Sequence, residues 1–346
     1  MNENVLKRIG QRVKTKRVLL TGGAGFLGSH VLKRILDTTD WEVVCLVTFK
    51  HHGIQDRLVF ATENLPEKLS RVKVLTCDLS SPISSVTSNK IGKIDYVLDL
   101  ASESHVNRSI EDPAPFIINN VQVICHMLEW AREAKPEKFI HISTDEVFGP
   151  YQGRHFTEWD THLPSNPYSA SKAAQEDIMY SYWRTYSMPL AIVNIMNIVG
   201  ECQNVEKFTP MIIKKIINNE TVDIHTYDNG KIGKRYWLYA GNMASALLHI
   251  LTKDFVLPSD SSKPLRFNIA GDKEYSNLEW AEKISSILDK KLNYQMVDSS
   301  VSRPGYDSSY ALDNSKLIES GWSAPYDLDQ EVSNIVKWYM ENPEWL

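Results

Sequence analysis

Lys16-Arg17-Val18-Leu19-Leu20-Thr21-Gly22-Gly23-Ala24-Gly25-Phe26-Leu27-Gly28-Ser29-His30 is the stretch whose reading decides the fold. A short apolar run leads into a cluster of glycines. They satisfy both G-x-G-x-x-G (Gly23, Gly25, Gly28) and G-x-x-G-x-x-G (Gly22, Gly25, Gly28). Val31-Leu32-Lys33-Arg34-Ile35-Leu36 then continues with helical spacing. Strand, glycine turn and helix form the context that a dinucleotide fingerprint requires. Glycines let the backbone approach a pyrophosphate, and the helix N-terminus attracts its charge. Taken alone, the turn also fits a plain strand–helix junction. Its place at the head of an alternating chain favours the dinucleotide, with Gly22, Gly25, Phe26, Leu27 and Gly28 as the cofactor-binding turn.

Working outward, strand-like runs recur at Arg17–Leu20, Val43–Val47, Val72–Leu75, Tyr96–Leu100, Phe139–Ser143 and Leu190–Ile195. Helical patterns lie between them, notably Phe116–Ala134 and Tyr168–Tyr186. Such alternation predicts an α/β fold, a Rossmann-type doubly wound parallel sheet with helices on both faces. Past Ile198 the pattern loosens. Helices are expected at Phe208–Asn218, Gly241–Thr252 and Asn277–Lys290, and a further strand at Arg266–Ile269. The expected division is a basic arm over 1–15, a dinucleotide-binding domain over 16–197 plus 238–272, and a smaller C-terminal substrate-binding lobe over 198–237 plus 273–346. Ligands of such sheets bind beyond the strand C-termini. The glycine turn, Asp78, Ala101–His105 and Thr144–Glu146 all follow predicted strands and should converge on one crevice.

The 346 residues are 42% hydrophobic and 23% charged, which is ordinary globular composition with ample length for a core. A formal charge of -5 argues against general nucleic-acid binding. Cys45, Cys77, Cys125 and Cys202 lie far apart without a C-x-x-C pair, so reduced thiols in a cytoplasmic setting are expected, and no metal site. No run approaches the apolar length of a membrane span. The arm carries Lys7, Arg8, Arg12, Lys14, Lys16 and Arg17 but no apolar signal region. It reads as a solvated extension, with a membrane-surface or partner helix as the alternative.

Two motifs carry the chemistry. Ile142-Ser143-Thr144-Asp145-Glu146-Val147-Phe148-Gly149 sets a hydroxyl and two carboxylates side by side at the end of an apolar run. Tyr168-Ser169-Ala170-Ser171-Lys172 sets a phenol and an ammonium four residues apart, one helical turn on one face. A nearby cation favours the phenolate. Together they supply a base, an acid and a proton relay for one pocket. The plain alternative for either motif is a capped, solvated helix start.

These motifs resemble the extended short-chain dehydrogenase/reductase family and, within it, the nucleoside-diphosphate-sugar 4,6-dehydratases. The resemblance runs from about Lys16 to about Pro325. It rests on Ala101-Ser102-Glu103-Ser104-His105-Val106-Asn107-Arg108-Ser109-Ile110, Ser143-Thr144-Asp145-Glu146-Val147-Phe148-Gly149 and Pro164-Ser165-Asn166-Pro167-Tyr168-Ser169-Ala170-Ser171-Lys172. Asn197, Gly200, Gln203, Glu206, Lys207 and Pro210 fit a further motif, as does Arg303-Pro304-Gly305-Tyr306-Asp307. The Thr-Asp-Glu triplet is the specific part, since Y-x-x-x-K is shared by the whole superfamily.

The resemblance implies an internal redox cycle on a nucleoside-diphosphate hexose of the dTDP- or UDP-glucose type. Tyr168 takes the 4-hydroxyl proton, Lys172 lowers the tyrosine pKa and holds the nicotinamide ribose, and Thr144 completes the relay. Glu146 removes the C5 proton and Asp145 protonates the departing 6-hydroxyl. The implied cofactor is NAD, with Asp78, Leu79, Ala101 and Ser102 beside it. Ser104, His105, Asn197, Lys207, Arg235, Asn268 and Arg303 are implied on the substrate side, the cations Lys207, Arg235 and Arg303 facing its diphosphate. His105 also reads as a satisfied core histidine, and Asp78 as a helix cap. A homodimer pairing the helices Phe116–Ala134 and Tyr168–Tyr186 is implied as well.

The chain departs from the family pattern at several positions. Val47 falls where an acid for the adenosine ribose is usual, and Lys50, His51 and His52 follow it, so NADP is a further possibility. Asp99 stands where histidine is common and Asn107 where aspartate is. Asn194 replaces a frequent arginine, Ile198-Val199 replaces Asn-Tyr, and Tyr236 opens the segment after Arg235. Two other functions remain open on sequence: a nucleotide-sugar 4-epimerase of the same superfamily, and a non-catalytic nucleotide-sugar or NAD sensor.

Overall fold

The computed structural model describes residues 15–50, 53–151, 153–227, 230–255, 261–298 and 309–346. The basic arm but for Thr15, His51, His52 and the Arg303–Asp307 motif therefore lie outside the described residues. The central sheet has seven strands, here β1 (Arg17–Thr21), β2 (Glu42–Val47), β3 (Val72–Thr76), β4 (Tyr96–Asp99), β5 (Lys138–Thr144), β6 (Leu190–Ile195) and β7 (Leu265–Ile269). Their order is β7-β6-β5-β4-β1-β2-β3, every neighbouring pair parallel. The order reverses between β1 and β4, which opens a crevice beyond their C-terminal ends.

Apolar runs make the central strands because both faces are covered. Val18, Leu19 and Leu20 are fully buried, as are Val97, Phe139, Ile140 and Val193. The main helices are α1 (Phe26–Thr38), α2 (Val106–Glu111), α3 (Pro113–Ala134), α4 (Pro167–Tyr186), α5 (Phe208–Ile217), α6 (Ala240–Thr252), α7 (Asn277–Leu288) and α8 (Leu328–Glu341). One face of the sheet packs on α1 and α6 through Val31, Leu32, Ile35, Met243, Leu247 and Ile250. The other packs on α3 and α4 through Ile124, Met127, Leu128 and Met179.

The second lobe has its own core. Trp237 stacks on Trp280 at 4.6 Å and 14°, with Phe208 on its other neighbour side at 6.2 Å. Ile212, Ile335 and Tyr339 close that core. The C-terminal part of the expected lobe divides differently. Leu317 and Trp322 join the core of the large domain, and Tyr310 and Leu312 pack with Val147, Phe148 and Phe156. A bridge between Phe156 and Leu312 ties this return segment to the loop after β5. The cysteines are unpaired. Among the described residues no helix is long and apolar enough to cross a membrane.

Candidate active site

The glycine turn forms where β1 ends. Gly22 has φ +70, a conformation costly for other residues. A Cβ on Gly28 would stand 2.1 Å from the Gly22 carbonyl oxygen, so the first turn of α1 can lie against the turn only without a side chain. Gly25 caps α1 with no side-chain hydrogen bond, and no acid sits in its first turn. The free N–H groups at this N-terminus suit an anionic pyrophosphate. Phe26 and Leu27 flank it, half-buried.

After β2 and β3 the placement is more specific than the sequence suggested. Val47 is buried, and Lys50 is not a free cation: its Nζ donates to Asp78 Oδ2 at 2.5 Å. Asp78 Oδ1 accepts from the backbone and hydroxyl of Ser80. The Lys50 bond, helped by Ser80, holds the Asp78 carboxyl down at about 2. The Lys50 charge, one part of the argument for a 2′-phosphate, is thus balanced within the protein. Leu79 is buried, and its carbonyl meets His126 Nδ1 at 2.9 Å.

Beyond β4, the Ala101 N–H donates to Thr21 Oγ1 at 2.9 Å, and Ser102 donates to the Glu103 carbonyl at 3.3 Å. Asn120 of α3 clamps this loop. It accepts from the Glu103 N–H, donates to the Glu103 carbonyl and donates to Ser171 Oγ of α4.

Thr144 ends β5 and caps a single 3-10 turn over Asp145–Phe148, its Oγ1 accepting from the Glu146 N–H at 3.3 Å. Gly149 closes the turn at φ +77, where a Cβ would lie 2.3 Å from the Leu163 carbonyl oxygen. The tight turn sets the two carboxyls in different surroundings. Asp145 is 4% exposed, its Oδ1 accepts from Thr144 Oγ1 at 3.0 Å, and its Oδ2 has no partner. Burial, then the Glu146 charge, pushes the Asp145 carboxyl up to about 7. Glu146 is half-buried, and its Oε2 accepts from Asn166 Nδ2 at 3.2 Å.

Asn166 also begins α4. Its side chain accepts from the Ser169 N–H, while Ser169 Oγ accepts from the Asn166 N–H, and Pro167 occupies the first turn. This double cap fixes Tyr168, whose ring meets Phe116 edge-on at 6.3 Å and whose N–H donates to Ser109 Oγ. One turn on, Lys172 is 4% exposed, donates to the Ile142 carbonyl at 2.7 Å and meets His141 Nε2 at 3.3 Å.

Burial, then Glu146, pushes the Tyr168 phenol well above its ordinary value, with Thr144 acting in the opposite direction. Burial draws Lys172 down to about 8 against the pull of Asp99 and Glu176. The Lys172 ammonium is held by His141 and the Ile142 carbonyl.

On the expected substrate side, Lys207 caps α5, and Glu206 and Glu146 oppose the lowering of its pKa by burial. Arg235 is buried over the Tyr310 ring at 5.0 Å, close enough for its charge to act on Asp145. His105 starts α2: its Nδ1 accepts from the Arg108 N–H, leaving Nε2 to donate to Glu206 at 3.3 Å. Ser104 is exposed and Asn197 half-buried, the Asn197 carbonyl accepting from the Leu238 N–H. Asn268 is fully buried, and its amide donates to the Phe156 and Asp313 carbonyls. That spends its donors on bracing two loops. Arg303 lies outside the described residues.

Sequence reasoning missed a buried polar group behind the site. Glu176 accepts from Arg266, from Asn194 at 2.7 Å and from His162 at 3.0 Å, and Asn194 donates to the Thr144 carbonyl at 2.9 Å. Burial alone would raise Glu176, but Arg266 and His162 more than offset it and hold it low. Asp99 and His141 were also missed as a pair. The available signal was a polar residue inside each of two otherwise apolar strand runs.

Comparison with known proteins fits this geometry. The family described as GDP-mannose 4,6 dehydratase matches residues 19–335. The chain belongs to this family. Within the dehydratase family, a dTDP-glucose 4,6-dehydratase of Escherichia coli is 33% identical, covering 95% of each chain. The dTDP-glucose 4,6-dehydratase structure from Streptomyces venezuelae, solved with NAD bound, is 27% identical, with a TM-score of 0.83 over 95% of this chain and 98% of that one. A UDP-N-acetylglucosamine 4-epimerase from Methanobrevibacter ruminantium shares the fold, with a TM-score of 0.82 at 24% identity over 95% of this chain and 100% of that one.

Proposed function

We propose that the protein is an NAD-dependent hydro-lyase that removes water from the C5–C6 bond of a nucleoside-diphosphate hexose, leaving a 4-keto-6-deoxy sugar. The glycine cradle and the uncapped α1 N-terminus suit the dinucleotide. Bound NAD supplies a hydride acceptor and donor that ends each cycle as it began. Tyr168 acts as the phenolate that takes the 4-hydroxyl proton; the Lys172 charge one turn away favours that form against burial, and Thr144 is its hydroxyl partner. The 4-ketone acidifies C5, whose proton Glu146 accepts and gives back to C5 when the hydride returns to C6. Asp145 donates its proton to the departing 6-hydroxyl. Lys207 and Arg235 neutralise the diphosphate.

The observation that carries this reading is the unequal carboxyl pair. An epimerase needs no acid for a leaving hydroxyl. Here a buried carboxyl with one unpartnered oxygen is raised to about 7 beside a second carboxyl with a different partner. Unequal environments are how adjacent carboxyls divide acid and base work. The relatives named for dTDP-glucose make that sugar nucleotide the first candidate, with UDP- and GDP-hexoses as competitors. The reading includes a homodimer through α3 and α4, and a cytoplasmic setting suggested by the unpaired cysteines. Incubation with dTDP-, UDP- and GDP-hexoses, followed by mass analysis, tests it. Loss of one water without net cofactor reduction is expected. Product of unchanged mass with inverted C4 would make the protein an epimerase.

A further inference from the structure

Three buried side chains stand side by side across the sheet. Thr21 of β1 is in register with Asp99 of β4, and Asp99 with His141 of β5. All three are at most 1% exposed. Thr21 Oγ1 donates to Asp99 Oδ1 at 2.7 Å and accepts from the Leu100 and Ala101 N–H groups. Asp99 Oδ2 lies 2.8 Å from His141 Nδ1, and His141 Nε2 lies 3.3 Å from Lys172 Nζ.

These contacts fix the proton positions. A carboxylate accepts, so His141 Nδ1 carries the hydrogen. Burial and the Lys172 charge lower the imidazole pKa, so the ring stays neutral and its Nε2 is an acceptor. An ammonium has three N–H donors. One goes to His141 Nε2 and one to the Ile142 carbonyl, so two of the three are directed by this row and its strand.

We infer that Asp99 and His141 are positioning residues for Lys172: Asp99 fixes the tautomer of His141, which orients the ammonium. The inference rests on the proposed role of Lys172 in the reaction. The charges acting on Lys172 are Asp99 from β4 and Glu176 from its own helix, with His141 from β5 at hydrogen-bond distance; Asp145 and Glu146 act on Tyr168, one turn before Lys172. Glu176 is balanced by Arg266 of β7. The buried set of Asp99, Glu176, Lys172 and Arg266 thus carries two negative and two positive charges. Removing Asp99 leaves Lys172 with a smaller opposing charge than its burial demands. The same row begins at Thr21, the residue before the glycine turn, so the cradle and the lysine share one rigid string of hydrogen bonds.

The ring nitrogens of His141 test this without any substrate. In long-range nitrogen–proton NMR of the full chain with NAD, His141 should carry its proton on Nδ1 from pH 6 to 9. Its Nε2 signal should inflect as Lys172 titrates, near pH 8, and Asp99→Asn should move the inflection down by about one unit. The alkaline limb of single-turnover cofactor reduction should move by the same amount, while a merely structural role would lower the rate at every pH alike. A proton on Nε2, an Nε2 signal flat across that range, or an inflection within about 0.3 unit of wild type in Asp99→Asn overturns the inference. Should Asp99→Asn not fold, the wild-type tautomer and inflection still decide it. If wild type turns over no nucleotide sugar, the proposed function fails on its own, and the NMR result stands separately.

Discussion

At Asp145, burial and the neighbouring Glu146 charge act in the same direction, and the consequence is measurable. The folded pKa of about 7 exceeds the unfolded value of about 3.9. Folding therefore takes up a proton between those values. The contribution to stability is full below about pH 4 and is lost as pH rises through about 7. Asp145→Asn keeps the size and can still accept from Thr144 Oγ1, but it cannot ionise. Thermal unfolding should give this variant a higher Tm than wild type at pH 8, by about 2–4 °C for each kcal/mol regained, and a smaller gap at pH 5. An equal gap at both pH values would show that Asp145 is not a raised carboxyl. Asp145, Glu146, Tyr168 and Lys172 were legible in the sequence because each pair is close along the chain. Asp99 and His141 were not, because they meet across neighbouring strands, 42 residues apart. The contacts of Asn268 were not legible either, because the Phe156 and Asp313 carbonyls that its amide meets lie 112 and 45 residues away.

Among the elements, the β1–α1 junction is the part whose sequence and geometry agree most closely. The glycine spacing predicted a backbone-to-ligand approach, and the structure adds a backbone-to-backbone one, Gly28 against Gly22. Gly28→Ala should push α1 off the turn. We expect cofactor affinity to fall at least tenfold by calorimetric titration, equivalent to about 1.4 kcal/mol. The central strands should persist in circular dichroism. Unchanged affinity would mean that the turn does not hold the cofactor. The strands of the central sheet and most of the long helices were readable from apolar runs and helical period. The helix Leu328–Glu341 and the strands of the second lobe, among them Val222–Tyr227, Lys234–Tyr239 and the two-residue Ile198–Val199, were not read. The double cap at Asn166 was present in the sequence but gains its meaning from Glu146, which it also holds.

Among the described residues the apolar core falls into clusters on the two faces of the sheet, one in the second lobe and one between the loop after β5 and the return segment. The return of Tyr310–Trp322 to the large domain could not be read from sequence, since the bridge between Phe156 and Leu312 spans the full lobe. The aromatics of α4 are largely used within the chain. Tyr182 donates to Glu129 of α3 at 2.6 Å, and Arg132 stacks over Tyr186 at 5.2 Å. Ile118 of α3 and Tyr186 remain exposed on this helix pair. Sedimentation should give a dimer at micromolar concentration, closed twofold pairing being the commonest assembly. Ile118→Asp should shift it towards monomer. A monomer in wild type would remove the helix pair as an interface.

The central claim is that the Thr144-Asp145-Glu146 turn performs an elimination that Tyr168 and Lys172 alone cannot. Single-turnover absorbance of the reduced nicotinamide, with mass analysis of the sugar, separates the two steps in Glu146→Gln and Asp145→Asn. Both variants should still form reduced cofactor, whereas Tyr168→Phe should slow that step by about 10²–10⁴. Neither carboxyl variant should release dehydrated sugar at an appreciable rate. Dehydration by both at the wild-type rate would contradict the account and leave the carboxyls a structural role.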